Sequence, residues 1–350
     1  MSEFRVIRIE GDTPYDRGVQ YGQEAREEIF KCIRTYQEYF IAARCMPWEE
    51  ALIYTDQFAA YLEKDFGREL EEVRGIADGA GVSFREIMLL NCRYEFQHFP
   101  VKNECTAFVL LREANVDHHV YLGQNWDNRP YMLPHTIILH ITEEDGTRIM
   151  GMTEAGQLIR NGFNSYGVGL CANSLISTRD REGLGVPANF MRRHMLSMRS
   201  LDEMVAGLIN SRRTVSNNYC MASSENRAAD VEAVPESPWI LLPEKNLLTH
   251  ANHLIVQKEL EASQGSKFRG ELLYSLLDQR NGQITVDYLK ECLKNHENYP
   301  DSLCAHAPEG ETDLKKLWQT NASIIYDLDT LEMDICYGPP CQGTYRKYSL

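Results

Sequence analysis

Apolar residues in the first hundred positions recur at three- and four-residue steps, the spacing of a single buried helix face. Thr13-Pro14 supplies an N-cap followed by proline at the first helical position. The run from Tyr15 to Ala43 contains few breakers and carries Ile29, Ile33, Tyr36 and Phe40 on one stripe, which predicts a helix. Two more are predicted, from Trp48 to about Ala77 and from Ser83 to about Tyr94; Ser83 with Glu86 forms a capping-box pattern. After Cys105 the texture changes. Thr106-Ala-Phe-Val-Leu-Leu111 is a continuous apolar run with the length of a buried strand. Strands are predicted at 119–123, 136–142, 147–152, 166–172, 218–222, 322–327 and 333–337, with Glu144-Asp145-Gly146 as a hairpin turn. Helices are predicted within 188–209 and at 270–277 and 286–294. Helices, then a meander, then helices, then strands is an α+β plan and not an alternating βαβ one. No repeat, charge block or low-complexity linker divides the chain, so one domain is expected.

Composition narrows the function. Lys plus Arg number 36 against 51 Asp plus Glu, a formal charge of −15, which disfavours nucleic acid and anionic membrane as partners. No stretch has the apolar length of a membrane span, and Met1 to Glu10 lacks the apolar core of a signal peptide. The expectation is a cytoplasmic protein.

Ten cysteines are scattered with no C-x-x-C pair, which argues against a zinc site or a disulfide framework and for small buried hydrophobes. At most one or two should be reactive. His250-Ala-Asn-His253 and His118-His119 lack assignable carboxylate partners and an H-E-x-x-H pattern, so no metal and no cofactor are expected. The glycines of Gly162-Phe-Asn-Ser-Tyr-Gly167-Val-Gly169 lack a Walker lysine and lead into a strand, as in a hairpin. No G-x-S-x-G elbow marks a serine nucleophile. Cys105 stands at the junction of the helical head and the first buried strand, where a cysteine is either a nucleophile or the start of a core strand.

Other segments favour the first alternative. Asn103-Glu-Cys-Thr-Ala-Phe108 followed by Gly123-Gln-Asn-Trp-Asp127 resembles the self-processing cysteine N-terminal-nucleophile hydrolases. Gly11-Asp-Thr-Pro-Tyr-Asp-Arg-Gly18-Val-Gln-Tyr-Gly22, Gly75-Ile-Ala-Asp-Gly-Ala-Gly-Val82 and Leu90-Asn-Cys-Arg-Tyr-Glu95 lie ahead of them in order. Gly162-x-Asn164-x-x-Gly167 through Asn173, and Leu248-Thr-His-Ala-Asn-His253, follow. Together they are similar to the acyl-coenzyme A:6-aminopenicillanic acid (isopenicillin N) acyltransferase family, also called the C45 peptidase family.

The resemblance implies a four-layer αββα sandwich with a mostly helical N-terminal segment. It implies a precursor cut between Glu104 and Cys105 into residues 1–104 and 105–350, which stay associated as one domain. Cys105 would then carry a free α-amino group that serves as general base, so no histidine is needed. By the same resemblance Asp127 orients the nucleophile, Asn252 stabilises the oxyanion through its amide, and Asn173 contributes a backbone N–H. Arg269 resembles the distal arginine of bile-salt and penicillin V acylases. Those acylases carry G-R-N-x-D where this chain has Gly123-Gln124-Asn125-Trp126-Asp127, a departure expected to remove a fixed positive charge beside the thiol. It shifts the reading toward the acyltransferase-like branch. A second departure is Glu104, where the penicillin-forming enzyme has glycine.

The implied activity is amide hydrolysis or acyl transfer on a small N-acylated amine through a Cys105 thioester. Transfer from an acyl-coenzyme A thioester is the rival, and a non-catalytic scaffold of the same fold is the alternative of another class. The expected partners are a small N-acyl amide or acyl thioester and the chain's own two fragments; homo-oligomerisation stays open.

Overall fold

A computed structural model describes residues 3–43, 46–96, 105–263 and 267–350. The helical head consists of α1 (Pro14–Glu24), α2 (Arg26–Ala43), α3 (Trp48–Leu62), α4 (Gly67–Ala80), α5 (Phe84–Asn91) and α6 (Arg93–Phe96). Thr13 caps α1 by accepting from the Asp16 N–H, and Ser83 with Glu86 forms both halves of a capping box on α5. The three expected head helices are each divided in two. The first breaks at Ala25, the second across 63–66 and the third at Cys92. Further on come α7 (Ala188–Leu196), α8 (Leu201–Asn210), α9 (Phe268–Asp278) and α10 (Val286–Leu293).

Two sheets form the centre. One has the order β1 (Arg5–Glu10), β4 (Thr136–Thr142), β5 (Arg148–Glu154), β6 (Asn161–Asn164), β7 (Val168–Ser174), β8 (Asn217–Ser223), β9 (Arg227–Val234), β10 (Ser237–Leu241). The other has the order β11 (Leu247–His250), β2 (Thr106–Leu110), β3 (Tyr121–Asn128), β12 (Gln319–Asp327), β13 (Glu332–Tyr337), β14 (Tyr345–Ser349). Every pairing is antiparallel except β1 with β4.

Three apolar clusters establish the layers. Ile137, Leu139 and Ile141 of β4 pack with α2, α4, α5 and α7 on one side of the larger sheet. Between the sheets lie Cys105, Ala107, Val109, Trp126, Met150, Phe163, Cys220 and Ile324. On the far side Phe108 and Leu110 meet Leu273 and Leu277 of α9 and Leu289 of α10. The arrangement is therefore α-β-β-α. Because β2 is covered on both faces, its sequence is apolar without alternation.

Two contacts bear on later arguments. Helices α1 and α4 touch backbone to backbone: a Cβ at Gly75 would lie 2.1 Å from the Tyr15 carbonyl oxygen, and one at Gly18 2.2 Å from that of Glu72. Residues near the two ends are neighbours, with the Phe4 and Tyr337 rings 4.8 Å apart and Glu3 paired with Arg346.

Candidate active site

Cys105 immediately precedes β2, whose register sets Thr106 opposite Asn125 of β3. The thiol therefore comes alongside the last residues of β3, with Sγ 3.7 Å from the Asp127 carbonyl oxygen. Its side belongs to the core between the sheets, and only 3% of the residue is exposed. A cavity of about 20 Å³ adjoins it, lined by Tyr36, Arg93, Tyr94, Trp126, Asp127, Arg129 and Arg160 among others. A larger cavity of about 360 Å³, lined by Leu241, Leu248, His253 and Tyr274 among others, shares no lining residue with it.

Asp127 is held on both carboxylate oxygens. Thr320 Oγ1 donates to one at 2.6 Å, and Arg269 Nη1 donates to the other at 3.1 Å. Arg269 lies in the first turn of α9 and is fully buried, so its charge needs this partner. Its second arm, Nη2, donates to Asn252 Oδ1 at 3.1 Å. Asn252 follows β11 and donates Nδ2 to the Ser174 carbonyl at 2.9 Å. One guanidinium thus ties the carboxylate beside the thiol to the asparagine on the neighbouring sheet edge. The planar fork suits this double duty better than a lysine would.

Asn173 is joined to the same region through its side chain. It donates to the His250 carbonyl at 3.0 Å and to Asn218 Oδ1 at 3.1 Å, and it accepts from Gln124 Nε2 at 2.6 Å. Gln124 in turn takes a hydrogen bond from Asn161 Nδ2 at 2.6 Å. The amides of Gln124, Asn161, Asn173 and Asn218 therefore pin β3 of one sheet to β6, β7 and β8 of the other.

Burial pushes the Cys105 thiol up to about 11, and the Asp127 carboxylate adds to the shift; Arg160, the hydrogen bond to the Asp127 carbonyl and Arg269 oppose it. Gln124 carries no charge, and a different cation, Arg160, lines the cavity beside the thiol. Arg160 stacks 4.9 Å from the Trp126 ring and donates to Tyr94 Oη at 2.8 Å. On the cavity's other side Glu154 pairs with Arg93 at 3.1 Å and accepts from Tyr36 Oη at 2.7 Å and Asn128 Nδ2 at 2.5 Å. These bonds tie α2 and α6 of the head to the strands around the thiol.

Cys105, Asp127, Arg269 and Asn252 are brought into one connected group, with Asn173 one residue from the Ser174 carbonyl that receives Asn252. Glu104 lies outside the described residues. Contrary to the expectation that the His250–His253 pair lacks carboxylate partners, buried His250 has Nε2 3.2 Å from Glu232 and 3.7 Å from Asp230, and its Nδ1 lies 2.7 Å from the Ala251 carbonyl. Sequence reasoning missed Thr320 and Arg160. Neither belongs to a motif, and only the pairing of β12 with β3, and the turn ahead of β6, bring them in.

The chain is 26% identical over 323 residues to the acyl-coenzyme A:6-aminopenicillanic-acid-acyltransferase 40 kDa form of Emericella nidulans, covering 90% of this chain and 87% of that one. It is also 26% identical over 269 residues to the protein dcd1A of Dictyostelium discoideum, covering 66% of this chain and 58% of that one. Among solved structures, a Caenorhabditis elegans N-acylethanolamine-hydrolyzing acid amidase ortholog overlays with a TM-score of 0.48 at 13% identity, covering 64% of this chain and 93% of that one. A variant of the conjugated bile acid hydrolase of Clostridium perfringens gives 0.48 at 14% identity, covering 67% and 89%. The acyl-coenzyme A:6-aminopenicillanic acid acyl-transferase family model matches residues 112–342, a stretch that carries Asp127, Asn173, Asn252 and Arg269 and begins after Cys105. With its greater part matched in this way, the chain belongs to the acyl-coenzyme A:6-aminopenicillanic acid acyl-transferase family.

Proposed function

We propose that the chain is the precursor of a cysteine amidohydrolase or acyltransferase that cuts itself between Glu104 and Cys105. The observation that carries this reading is the joined group of Cys105, Asp127, Arg269 and Asn252 at the head of a buried strand. In the first step the thiol attacks the Glu104 carbonyl carbon, the peptide C–N bond breaks, and the Cys105 nitrogen takes the proton. Water then hydrolyses the resulting thioester, leaving a Glu104 carboxylate and a Cys105 with both thiol and α-amine.

The thiolate is the nucleophilic form and burial disfavours it, so a local base matters. The α-amine, with an ordinary pKa of about 7.7–8.0, supplies one next to its own sulfur. Attack on a substrate amide moves the thiol proton to this amine and charge onto the carbonyl oxygen. The Asn252 amide has two hydrogens and uses one on Ser174, which leaves one for that oxyanion. Collapse passes the proton to the departing amine and leaves a Cys105 thioester, which water or an acceptor amine resolves. Residues 1–104 and 105–350 are then the two fragments of one domain, and the substrate is a small N-acyl amide.

Acyl transfer from a thioester is the second reading, favoured by the name of the Emericella relative. Intact-mass analysis of purified protein with a panel of acyl amides and acyl thioesters separates the two. Hydrolysis gives product from amide alone, with an acyl adduct on the Cys105 fragment. Near-complete capture of the acyl group by millimolar acceptor amine would make the enzyme a transferase. Ligand binding without any Cys105 adduct would leave only a scaffold.

A further inference from the structure

We propose that His296, Cys304, His306 and Cys341 bind one divalent cation of the zinc type in tetrahedral S₂N₂ coordination, outside the site described above. The four side chains come from two segments, the stretch between α10 and β12 and the turn between β13 and β14. Their donor atoms all lie within 4.8 Å of one another. The two imidazole Nε2 atoms face each other at 3.1 Å, and His306 Nε2 lies 3.5 Å from Cys304 Sγ and 3.4 Å from Cys341 Sγ.

Those separations are the edges of a zinc tetrahedron. With Zn–N of about 2.0–2.1 Å and Zn–S of about 2.3 Å, the edges come to roughly 3.3 Å for N···N, 3.5 Å for N···S and 3.8 Å for S···S. These three contacts already match, so only the longer spans must shorten. Two thiols and two imidazoles are also the donor set that selects zinc over the oxygen-seeking cations. Binding converts both thiols to thiolates and releases two protons, which leaves an electrically neutral centre. Sequence spacing conceals the set, because its one short pair is Cys304-x-His306 and the other two ligands lie ten and thirty-five positions from His306.

The location gives the cation a consequence for the chain. Ala305, between two of the ligands, donates its N–H to Thr320 Oγ1 at 2.9 Å and accepts from the Thr320 N–H at 3.0 Å. That same hydroxyl donates to Asp127. The Leu303 carbonyl, just ahead of Cys304, accepts from Asn125 Nδ2 at 2.8 Å. Fixing Cys304 and His306 therefore fixes the segment that orients Thr320, a positioning role one step removed from the carboxylate.

The test uses full-length protein stripped with a chelator, kept under a thiol-free reductant and titrated with zinc or cobalt ions alone. One zinc per chain is expected, with affinity rising as pH rises because thiol protons are released. The cobalt form should develop the visible bands of a tetrahedral site and thiolate-to-metal charge transfer. His296 and Cys341 are exposed, so His296→Gln and Cys341→Ser should keep the fold, checked by circular dichroism. Each should lower zinc affinity about a hundredfold or more, beyond the usual cost of losing an outer-shell partner. Absence of stoichiometric zinc, an octahedral cobalt spectrum, unchanged affinity in both variants, or a Cys304–Cys341 disulfide that persists under reductant would each overturn the proposal. None of these readouts depends on the proposed catalytic activity.

Discussion

Arg160 and Asn252 act on different atoms, and their substitutions separate. Arg160 is one of the groups that hold the buried Cys105 thiol down, against the burial and the Asp127 charge that hold it up. A raised acid is neutral below its pKa and ionises only as pH rises toward it. Arg160→Leu removes an opposing cation, so the self-cutting rate should fall at pH 8 and its rising limb should move to higher pH. An unchanged pH–rate profile would remove Arg160 from the chemistry. Asn252 should matter after cutting. Losing one preorganised oxyanion donor costs about 10²–10³ in kcat, roughly 3–4 kcal/mol, with a smaller change in KM. If Asn252→Ala melts earlier yet keeps full kcat, the asparagine only braces Arg269. Asp127→Asn should impair cutting and turnover together. It also removes one carboxylate partner of the buried Arg269 charge, so its melting curve belongs with its kinetics. Cys105, Asp127 and Asn252 lie in the short ordered segments that carry the family resemblance, and the variants above test their proposed roles. Arg160 and Thr320 were not legible, since the turn ahead of β6 brings in the one and the pairing of β12 with β3 the other, and no local pattern encodes either.

At the level of elements, local signals were readable where they were chemical. The Thr13 cap, the Ser83–Glu86 box, the Gly146 turn and the doubly buried β2 all read correctly from neighbouring residues. Strand β1 was missed although Ile7 and Ile9 alternate with charged residues, because its pairing partner β4 lies more than a hundred residues away. Strand β9 was hidden by Asp230 and Glu232, acidic residues that are fully buried beside His250. The helix break at Ala25 has no glycine or proline to announce it. Glycines that looked like motif decoration have a packing reason, since Gly18, Gly22, Gly75 and Gly79 let α1 and α4 meet at backbone distance. Gly75→Ala should therefore destabilise by about 1–3 kcal/mol or more through overpacking, read as a shifted denaturant midpoint. An unshifted midpoint would mean that the two helices separate freely.

Across the whole molecule, the head is not an appendage that a cut could release. Its helices build the apolar layer against the larger sheet, β1 is hydrogen-bonded to β4 along six residues, and Tyr36 and Arg93 hold Glu154 from the head side. Purified wild-type protein should therefore show residues 1–104 and 105–350 co-eluting under native conditions and parting only in denaturant. Cys105→Ala should remain one chain of 40.2 kDa. An active wild-type protein that stays uncut would refute the maturation step. The neighbouring residues near the two ends, Phe4 on Tyr337 and Glu3 on Arg346, open another route to the mature form. With Glu3 in contact with Arg346, a linker could join the two termini and the gene be reopened at codon 105 as a circular permutant. Once the initiator methionine is trimmed, translation itself would deliver Cys105 with a free α-amine. Such a protein would be born in its working state, and the role of every residue in turnover could be measured without first asking whether the precursor had managed to cut itself.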